Sequence, residues 1–382
     1  MSVWATFKKP VAKALQNLTK PLSRNMISPK IFYKLGRLGY KEVEEEIRPN
    51  RRGHKLTVIE QSDINKELQL APTQDSQNEV VHDWTSINQV VEQLSLRHYI
   101  IERSLATAVF LALKLQKPLL LEGEAGVGKT EIAKVLADTM GARLIRLQCY
   151  EGLDVSSAVY EWNYARQMLQ IRLLESQEVK NVGATELFGP EFLIKRPLLQ
   201  ALEGTVEQPT VLLIDELDRA DEEFEAFLLE VLSDYQVTVP EIGTIKAIRP
   251  PVVIITSNRT REIHDALKRR CLYHWIDYPS LEKEYRILLA KVPNAPATLA
   301  EEVVSFVQDI RKMELYKLPG VAETLDWATA LLALDQRDLE EKTVEDTLGV
   351  ILKYQEDVEK LKGDKVRALV QKAKQTAQSK KK

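Results

Sequence analysis

The sequence predicts an α/β fold, in which helices cover both faces of a parallel sheet, followed by an all-helical domain. Three observations support this prediction. Short apolar runs alternate with helical patterns from Asp83 to Pro279, and one of these runs leads into a glycine-rich turn at Gly123. After Pro279 the apolar runs give way to successive helical patterns. Apolar runs of this length between helices are typical of parallel strands that are buried on both faces.

Five apolar runs predict the strands, and the segments around them predict helices. The strands are predicted at residues 119–121, 143–148, 210–214, 251–256 and 272–276. Helices are predicted at residues 87–96, 100–115 and 130–140 in the α/β part, and at 281–292, 299–312, 322–334 and 344–361 beyond it. Thr298 with Glu301 forms a capping-box pattern, while Thr343 and Gly363 suit the start and the end of the last long helix.

The phosphate-loop pattern GEAGVGKT follows the first predicted strand directly. Its glycines permit a turn in which successive backbone N–H groups wrap phosphates, which then lie at the N-terminus of the next helix. Lys129 would neutralise the β- and γ-phosphates, and the Thr130 hydroxyl would ligate Mg²⁺. The pattern therefore predicts a nucleoside-triphosphate site. Its residues are Gly123, Glu124, Ala125, Gly126, Val127, Gly128, Lys129 and Thr130.

Two acidic residues end the third predicted strand, within TVLLIDELDRAD. Ligands of open α/β sheets bind at the carboxyl ends of the strands, so both side chains are expected at the nucleotide site. Asp215 suits Mg²⁺, directly or through water, and Glu216 is the candidate base that orients or deprotonates the attacking water. A pair of solvated carboxylates is the alternative interpretation, which the preceding phosphate loop disfavours.

Polar and basic residues follow the fourth predicted strand. Asn258 ends PVVIITSN, where its amide suits the γ-phosphate or the attacking water; the alternative is an asparagine that only begins a turn. Lys268, Arg269 and Arg270 lie on a predicted helix before the last strand. In a ring, one of the two arginines would stabilise the phosphate charge of a neighbouring subunit. In a monomer the three residues would form a solvated basic patch.

Composition limits the class of protein. The 382 residues suggest two or three domains, and a net charge of −3 gives no general reason to expect nucleic-acid binding. Two cysteines, Cys149 and Cys271, do not form a disulfide framework, so a reducing, cytoplasmic location is expected. No apolar stretch is long enough to span a bilayer, and the first residues lack a secretory signal pattern.

The first 82 residues are predicted to be a basic extension and linker. Residues 1–40 carry eight basic residues and no acidic one, with a short helix predicted after Pro10. This segment fits a transit peptide, a contact with anionic membrane, a partner-binding arm or a solvated extension. The remaining boundaries are predicted at residues 83–279 for the α/β core, 280–363 for the helical domain and 364–382 for a charged tail that frays.

The order of these motifs resembles that of the AAA+ ATPases, over about residues 83–362. Within that superfamily, five further blocks resemble the MoxR group, in the branch similar to CoxD, the carbon-monoxide-dehydrogenase maturation ATPase. The blocks are CYEGLD (149–154), YEWNYARQMLQIR (160–172), FLIKRPLLQALE (192–203), DELDRAD (215–221) and ETLDWA (323–328).

The resemblance implies an αβα core with a C-terminal helical lid, in a ring that is commonly a hexamer with ATP between subunits. Glu216 would be the Walker B glutamate and Asn258 the sensor-1 residue. Arg270 is the best match to the arginine finger, and Arg269 is close behind. An insert at residues 160–172 and a hairpin at residues 236–247 would contact client proteins. The implied client is a metalloenzyme, and a von Willebrand factor A-domain protein is the implied partner.

One departure and two alternatives accompany the resemblance. Many relatives carry an arginine at the start of the lid helix, whereas residues 320–324 contain none, so no sensor-2 residue is assigned. Tyr160, Trp162 and Tyr164 near Arg166 suit base stacking, although packing within the insert or against a protein is favoured. The alternative functions are a DNA-associated motor or restriction-type subunit, and a scaffold that uses ATP only to assemble.

Overall fold

A computed structural model describes residues 84–176, 188–205 and 208–379, which belong to one compact unit. The helix predicted after Pro10, the basic segment of residues 1–40 and the linker of residues 41–82 lie outside the described residues. In the described part, no helix is both long enough and apolar enough to cross a bilayer.

The described residues contain nine strands, numbered here in chain order. They are β1 (Leu119–Gly123), β2 (Arg143–Gln148), β3 (Tyr160–Trp162), β4 (Leu193–Lys195), β5 (Thr210–Asp215), β6 (Gln236–Val239), β7 (Gly243–Lys246), β8 (Val252–Ser257) and β9 (Leu272–Ile276). Five of them form the central sheet in the order β2-β5-β8-β1-β9, and all of its pairings are parallel. Each of the five predicted strands coincides with one of these, which confirms the predicted parallel sheet.

The sheet is buried on both faces because its central strands are apolar at successive positions. Leu119 and Leu121 pack into the hydrophobic cluster on one face, whereas Leu120 packs into the cluster on the other. In β8 the same alternation places Ile254 on the first face and Ile255 on the second. Side chains of a strand alternate between faces, so continuous apolar runs are what a doubly covered sheet requires.

Helices cover both faces of this sheet, and several begin at a capping side chain. Ser86 accepts a hydrogen bond from the backbone N–H of Gln89, and Asp221 accepts one from Phe224, as N-cap residues do. The helices of the α/β part are α1 (Ile87–Leu96), α2 (Arg103–Leu115), α3 (Lys129–Thr139), α4 (Val155–Ala158), α5 (Tyr164–Ser176), α6 (Pro197–Leu202), α7 (Glu222–Asp234) and α8 (Asp265–Lys268).

Two antiparallel pairs lie outside the central sheet. Strands β3 and β4 pair with each other, and α5 lies between them in the chain. The predicted insert at residues 160–172 contains β3 and the first part of α5, whereas its partner strand β4 lies outside those residues. Strands β6 and β7 form the hairpin that the sequence predicts at residues 236–247. The hairpin turns at residues 240–242, where Pro240 precedes a glycine with positive φ, Gly243.

Six helices form the C-terminal helical region, called the lid below, which has its own hydrophobic core. They are α9 (Leu281–Lys291), α10 (Ala297–Ile310), α11 (Val321–Ala333), α12 (Glu341–Ile351), α13 (Gln355–Leu361) and α14 (Asp364–Ser379). The rings of Phe306 and Trp327 lie 5.1 Å apart at the centre of this core, and both are buried. The indole N–H of Trp327 donates a 2.9 Å hydrogen bond to the Thr347 hydroxyl, which satisfies the buried polar group.

The segment from Asp364 is a helix and not the frayed tail that the sequence analysis expects. Val366, Val370, Ala373 and Ala377 follow one another at helical spacing, and all four are buried. The first three belong to the hydrophobic core of the lid. The many lysines and glutamines of this segment lie on the other side of the helix, so composition alone suggested a solvated tail.

Three details of the lid also correct the sequence analysis. Thr298 and Thr343 are not caps, since α10 begins after Pro296 and α12 begins after Glu340. The predicted helix at residues 344–361 is two helices, because Leu352 adopts an extended backbone and inserts its side chain into the lid core. Gly363 does follow the end of α13 with a φ of +69°, as predicted.

Candidate functional site

The glycine-rich loop joins β1 to α3 and carries the backbone geometry of a phosphate site. Gly126 and Gly128 have φ values of +76° and +96°, which side-chain-bearing residues rarely adopt. Lys129 is the first residue of α3, so the loop ends at the N-terminus of an 11-residue helix. Backbone N–H groups and the helix dipole at such an end favour phosphate oxygens.

Lys129 is buried within this loop. Its Nζ atom donates hydrogen bonds of 2.7 Å and 2.6 Å to the carbonyl oxygens of Gly123 and Glu124. Burial lowers the pKa of the Lys129 ammonium from 10.5 to about 8, and nearby carboxylates, Asp218 foremost, partly oppose this effect. The ammonium is therefore held at the position where phosphates would bind. Because its pKa is lowered, it loses its proton more readily than an exposed lysine does.

Asp215 ends β5 and is 2% exposed. Its Oδ1 atom accepts hydrogen bonds from the hydroxyls of Thr130 (2.9 Å) and Thr256 (2.6 Å), and its Oδ2 atom accepts from the Arg146 guanidinium. A carboxylate beside a hydroxyl at the mouth of a phosphate loop offers the oxygen ligands that Mg²⁺ prefers, with phosphates and waters supplying the rest. These residues therefore fit a magnesium ion that arrives with a nucleotide.

Glu216 follows Asp215 with left-handed backbone angles, φ +56° and ψ +51°. Its N–H donates to the Thr256 hydroxyl at 2.9 Å, which fixes this unusual turn at the strand end. Its carboxylate accepts from Gln148 Nε2 (3.1 Å), Arg219 Nε (2.9 Å) and Asn258 Nδ2 (3.4 Å). The structure therefore brings the predicted base and the predicted strand-end asparagine together.

Asp218 positions the segment that contains Asn258, a role that the sequence analysis did not identify. Asp218 is 3% exposed, and its two carboxylate oxygens accept from the backbone N–H groups of Asn258 (3.1 Å) and Thr260 (2.9 Å). The Thr260 hydroxyl adds a third hydrogen bond at 2.7 Å. The only signal for this role in the sequence is that Asp218 lies two residues after Glu216.

Glu225 holds the next part of the same segment. This buried carboxylate on α7 accepts hydrogen bonds from the Arg261 guanidinium and, at 2.7 Å, from the His264 N–H, directly before α8. Buried charges of this kind are stable only when paired. The chain from Asn258 to α8 is thus tied to α7 and to the turn after β5.

Arg269 and Arg270 are both exposed, and they directly follow α8, which ends at Lys268 and not beyond the two arginines as predicted. Within the described residues neither forms an ion pair, and neither lines the cleft around Lys129. The structure therefore does not bring these two predicted residues to the nucleotide site of their own chain.

The phosphate loop opens into a cleft of about 450 Å³ between the α/β part and the lid. Beyond the loop, apolar and aromatic residues line the cleft, and the partial loss of water around the half-buried Tyr99 raises the pKa of its hydroxyl. Such walls suit a planar base. No local sequence pattern predicts these residues, because they come from segments that are distant in the chain. They are His98, Tyr99, Ile100, Leu105, Ile287, Val321 and Leu325.

The lid contacts the phosphate loop through backbone groups. The N–H groups of Val321 and Ala322 donate to the carbonyl oxygen of Gly126, at 3.0 Å and 3.2 Å. Two lysines on α9, Lys283 and Lys291, also line the cleft, and each forms an ion pair with the α/β part, to Glu102 (2.7 Å) and Glu131 (2.8 Å) respectively. The lid start thus touches the loop without an arginine.

Among the described residues there is no cluster of three or more His, Cys, Asp or Glu side chains that could hold a metal ion by themselves. Burial raises the pKa of the Cys149 and Cys271 thiols to about 12, so both are protonated at neutral pH.

Comparison with known proteins shows a similarity in the α/β part. Residues 118–271 match the sequence model of the AAA domain (dynein-related subfamily). An uncharacterized protein of Staphylococcus saprophyticus is 24% identical over 208 residues, which cover 53% of this chain and 71% of that protein. An uncharacterized protein of Staphylococcus aureus is 26% identical over 252 residues, which cover 63% and 86%.

Two solved structures are distantly similar. A putative ATPase from Cytophaga hutchinsonii has a TM-score of 0.39 at 15% identity, over 76% of this chain and 93% of that one. A variant of RuvB from Thermotoga maritima has a TM-score of 0.37 at 16% identity, over 69% and 68%. Scores this low carry no inference about function. The AAA match, together with the parallel sheet and the helical C-terminal region, confirms the predicted fold class.

Proposed function

We propose that this chain, an ATPase with a P-loop AAA+ core, is a ring-forming chaperone of the MoxR type that remodels a client protein. The main observation behind the proposal is that the predicted site residues lie in two separate places. Lys129, Asp215, Glu216 and Asn258 meet at the cleft, whereas Arg269 and Arg270 lie outside it. A second copy of the chain would complete the site, so hydrolysis would depend on assembly.

Within one chain, different residues have different roles in phosphoryl transfer to water. The loop N–H groups and Lys129 hold the phosphates, and Thr130 with Asp215 would hold Mg²⁺, which neutralises charge on the β- and γ-phosphate oxygens. Glu216 orients the attacking water and accepts its proton. Asn258, 3.4 Å from the Glu216 carboxylate, fixes that carboxylate and reports the presence of the γ-phosphate.

The proposed client surface consists of the elements that project from the core. On α5, four large apolar side chains are at least 48% exposed, namely Tyr164, Met168, Leu169 and Leu173. Exposed apolar clusters of this kind commonly contact proteins. The β6–β7 hairpin is the second projecting element. Movement of the lid during the ATP cycle would move these elements relative to a neighbouring subunit.

The nature of the client rests on the five sequence blocks that resemble the MoxR group. On that basis we propose a role in metalloenzyme maturation or cofactor insertion, with a hexameric ring and a von Willebrand factor A-domain protein as partner. The client assignment is an analogy between sequences. Capture of bound proteins with the Glu216→Gln variant, in the presence of ATP and Mg²⁺, tests it; a captured set without any metalloprotein would contradict it.

Mixing two inactive variants tests the shared site. Glu216→Gln keeps its arginines but lacks the base, while Arg270→Ala keeps the base but lacks one arginine. We expect each to have little activity alone and the mixture to recover part of it, because some interfaces then combine an intact base with an intact arginine. Arg269→Ala serves as the matched variant. A mixture no more active than its components, or a chain that stays monomeric with ATP and Mg²⁺, would refute the ring.

Two further experiments test whether ATP is hydrolysed at this site and whether the protein is instead a DNA-associated motor. Lys129→Ala should lose nucleotide binding, whereas Glu216→Gln should keep binding and lose turnover; equal hydrolysis in these variants and the wild type would exclude this site. Hydrolysis should not respond to added DNA. A strong stimulation that declines with salt would favour the DNA-associated motor.

A further inference from the structure

Strand β2 presents two polar side chains, Arg146 and Gln148, toward the acidic end of β5. The two strands pair in parallel, with Arg146 opposite Leu213 and Gln148 opposite Asp215. Residues two apart in a strand share a face. As a result, Arg146 reaches the Asp215 carboxylate while Gln148 reaches that of Glu216.

The contact between Arg146 and Asp215 is a close ion pair. Nε and Nη2 of Arg146 donate to the same oxygen, Oδ2, at 3.0 Å and 2.6 Å. The Asp215 side chain is 2% exposed, whereas the Arg146 side chain is 51% exposed. The carboxylate is therefore fixed, and the guanidinium is the partner with room to move.

The other oxygen of Asp215 faces the phosphate loop, where it accepts from the Thr130 hydroxyl. This hydroxyl and carboxylate are the oxygen ligands that would hold the magnesium ion of a bound nucleotide. A divalent ion there and the guanidinium of Arg146 would share one carboxylate from two sides. Two cations that depend on the same buried anion weaken each other, since each reduces the negative potential that attracts the other.

We infer that Arg146 is a positioning residue that competes with nucleotide-bound Mg²⁺ for Asp215. In the nucleotide-free protein the guanidinium holds the buried carboxylate in place, so the site does not carry an uncompensated charge. When the magnesium nucleotide binds, the ion pair weakens. Because such coupling is reciprocal, Arg146 must in turn lower the affinity of the site for Mg²⁺. The inference rests on the proposed nucleotide function.

The test measures binding and not hydrolysis. A fluorescent, non-hydrolysable ATP analogue is titrated into the wild type and Arg146→Gln, with EDTA and at a series of Mg²⁺ concentrations. Arg146→Gln should reach half-maximal Mg²⁺-dependent binding at an ion concentration about fivefold or more below that of the wild type. Arg143→Gln is the matched control, because Arg143 lies on the same strand but its guanidinium donates to the amide oxygen of Gln200, at 3.2 Å, and not to Asp215.

Several outcomes would overturn the inference. An unchanged or higher Mg²⁺ requirement in Arg146→Gln would do so, and an equal loss of binding with and without Mg²⁺ would assign Arg146 to the phosphates instead. If the wild type binds no analogue at all, the nucleotide function itself fails. If Arg146→Gln does not fold, Arg146→Lys takes its place and should lie between the wild type and the expected shift. In an Asp215→Asn background, either substitution should leave the Mg²⁺ requirement unchanged.

Discussion

The backbone N–H of Val321 donates a 3.0 Å hydrogen bond to the carbonyl oxygen of Gly126, which ties the first residue of α11 to the phosphate loop. The neighbouring Gly320 allows this approach. A Cβ atom on Gly320 would lie 2.7 Å from the carbonyl oxygen of Ala125 and 2.9 Å from the Cα of Gly126. The lid and the phosphate loop are thus in backbone contact, so a movement of one displaces the other.

Replacing Gly320 by alanine should separate the lid from the loop. The new methyl group meets backbone atoms that cannot rotate away, so we expect a loss of about 1–3 kcal/mol in the free energy of unfolding. Nucleotide affinity should fall as well, because α11 lines the cleft. Urea unfolding and a nucleotide titration measure the two effects.

Gly349→Ala is the matched control for that substitution. Gly349 lies inside α12, and a Cβ atom there would meet nothing within 4 Å. Alanine in a helix interior is more favourable than glycine by roughly 0.5–1 kcal/mol, so this variant should be slightly more stable and bind nucleotide normally. Similar behaviour of the two variants would contradict the close contact.

Glu284→Gln should destabilise the lid, in which Glu284 lies on α9 and Arg311 directly follows α10. Glu284 and Arg311 are 1% and 5% exposed, and two guanidinium nitrogens contact the two carboxylate oxygens at 2.6 Å and 2.7 Å. Removing one charge of a buried pair leaves the other uncompensated, at a cost of roughly 3–5 kcal/mol in unfolding free energy. Denaturant unfolding measures this loss.

The exposed pair between Lys362 and Glu359 provides the comparison. Both side chains are more than half exposed, and exposed pairs contribute about 1 kcal/mol or less. Glu359→Gln should therefore change stability little. A loss in Glu284→Gln no greater than in Glu359→Gln would show that the buried pair does not stabilise the lid.

Much of the fold followed from local patterns because the relevant signals are contiguous. A parallel strand buried on both faces is an uninterrupted apolar run, as at β5 and β8, and the phosphate loop is a single eight-residue motif. Asp215, Glu216 and Asn258 were predicted for the same reason, since each directly follows such a run. Where a polar residue directly follows a buried strand, its position in the sequence is sufficient to predict that it lies at the site.

The missed residues act across the fold. Arg146 reaches Asp215 only because β2 lies beside β5, and no local pattern states the strand order. Tyr99 and Lys283 reach the cleft from segments that are far apart in the chain. The helix from Asp364 was missed for a different reason, because its four buried residues are few among lysines and glutamines.

Asp218→Asn should lower turnover more than nucleotide affinity. The variant amide places N–H donors where Asp218 accepts from the backbone of Asn258 and Thr260, so the segment shifts away from Glu216. Small misplacements of catalytic groups cost on the order of a hundredfold, and we expect kcat to fall by about tenfold to a hundredfold. Steady-state hydrolysis and a binding titration separate the two effects.

Asp221→Asn is the control for Asp218→Asn. Asp221 caps α7 by accepting a 2.9 Å hydrogen bond from the Phe224 N–H, and asparagine caps helices equally well. This variant should hydrolyse ATP like the wild type. If kcat in Asp218→Asn also stays at the wild-type value, the Asp218 carboxylate does not position Asn258 for hydrolysis.

Nucleotide binding should weaken as pH rises above about 8. Burial lowers the pKa of Lys129 to about 8 in the nucleotide-free protein, and the added phosphate charge would raise it again. Above pH 8 the protein must therefore take up a proton as it binds, and affinity should fall by up to about tenfold per pH unit. Calorimetric titration in buffers of different ionisation enthalpy measures the uptake; its absence at pH 8.5 would contradict the shifted pKa.

The same group should make the nucleotide-free protein more stable as the pH rises from about 8 toward 10.5. The ordinary pKa of lysine is 10.5, so in this window the unfolded chain binds more protons at residue 129 than the folded chain does. The free energy of unfolding then increases with pH. Lys129→Met removes the titrating group and should remove this increment from the pH dependence of unfolding, whereas a slope shared by both proteins would assign the effect to other residues.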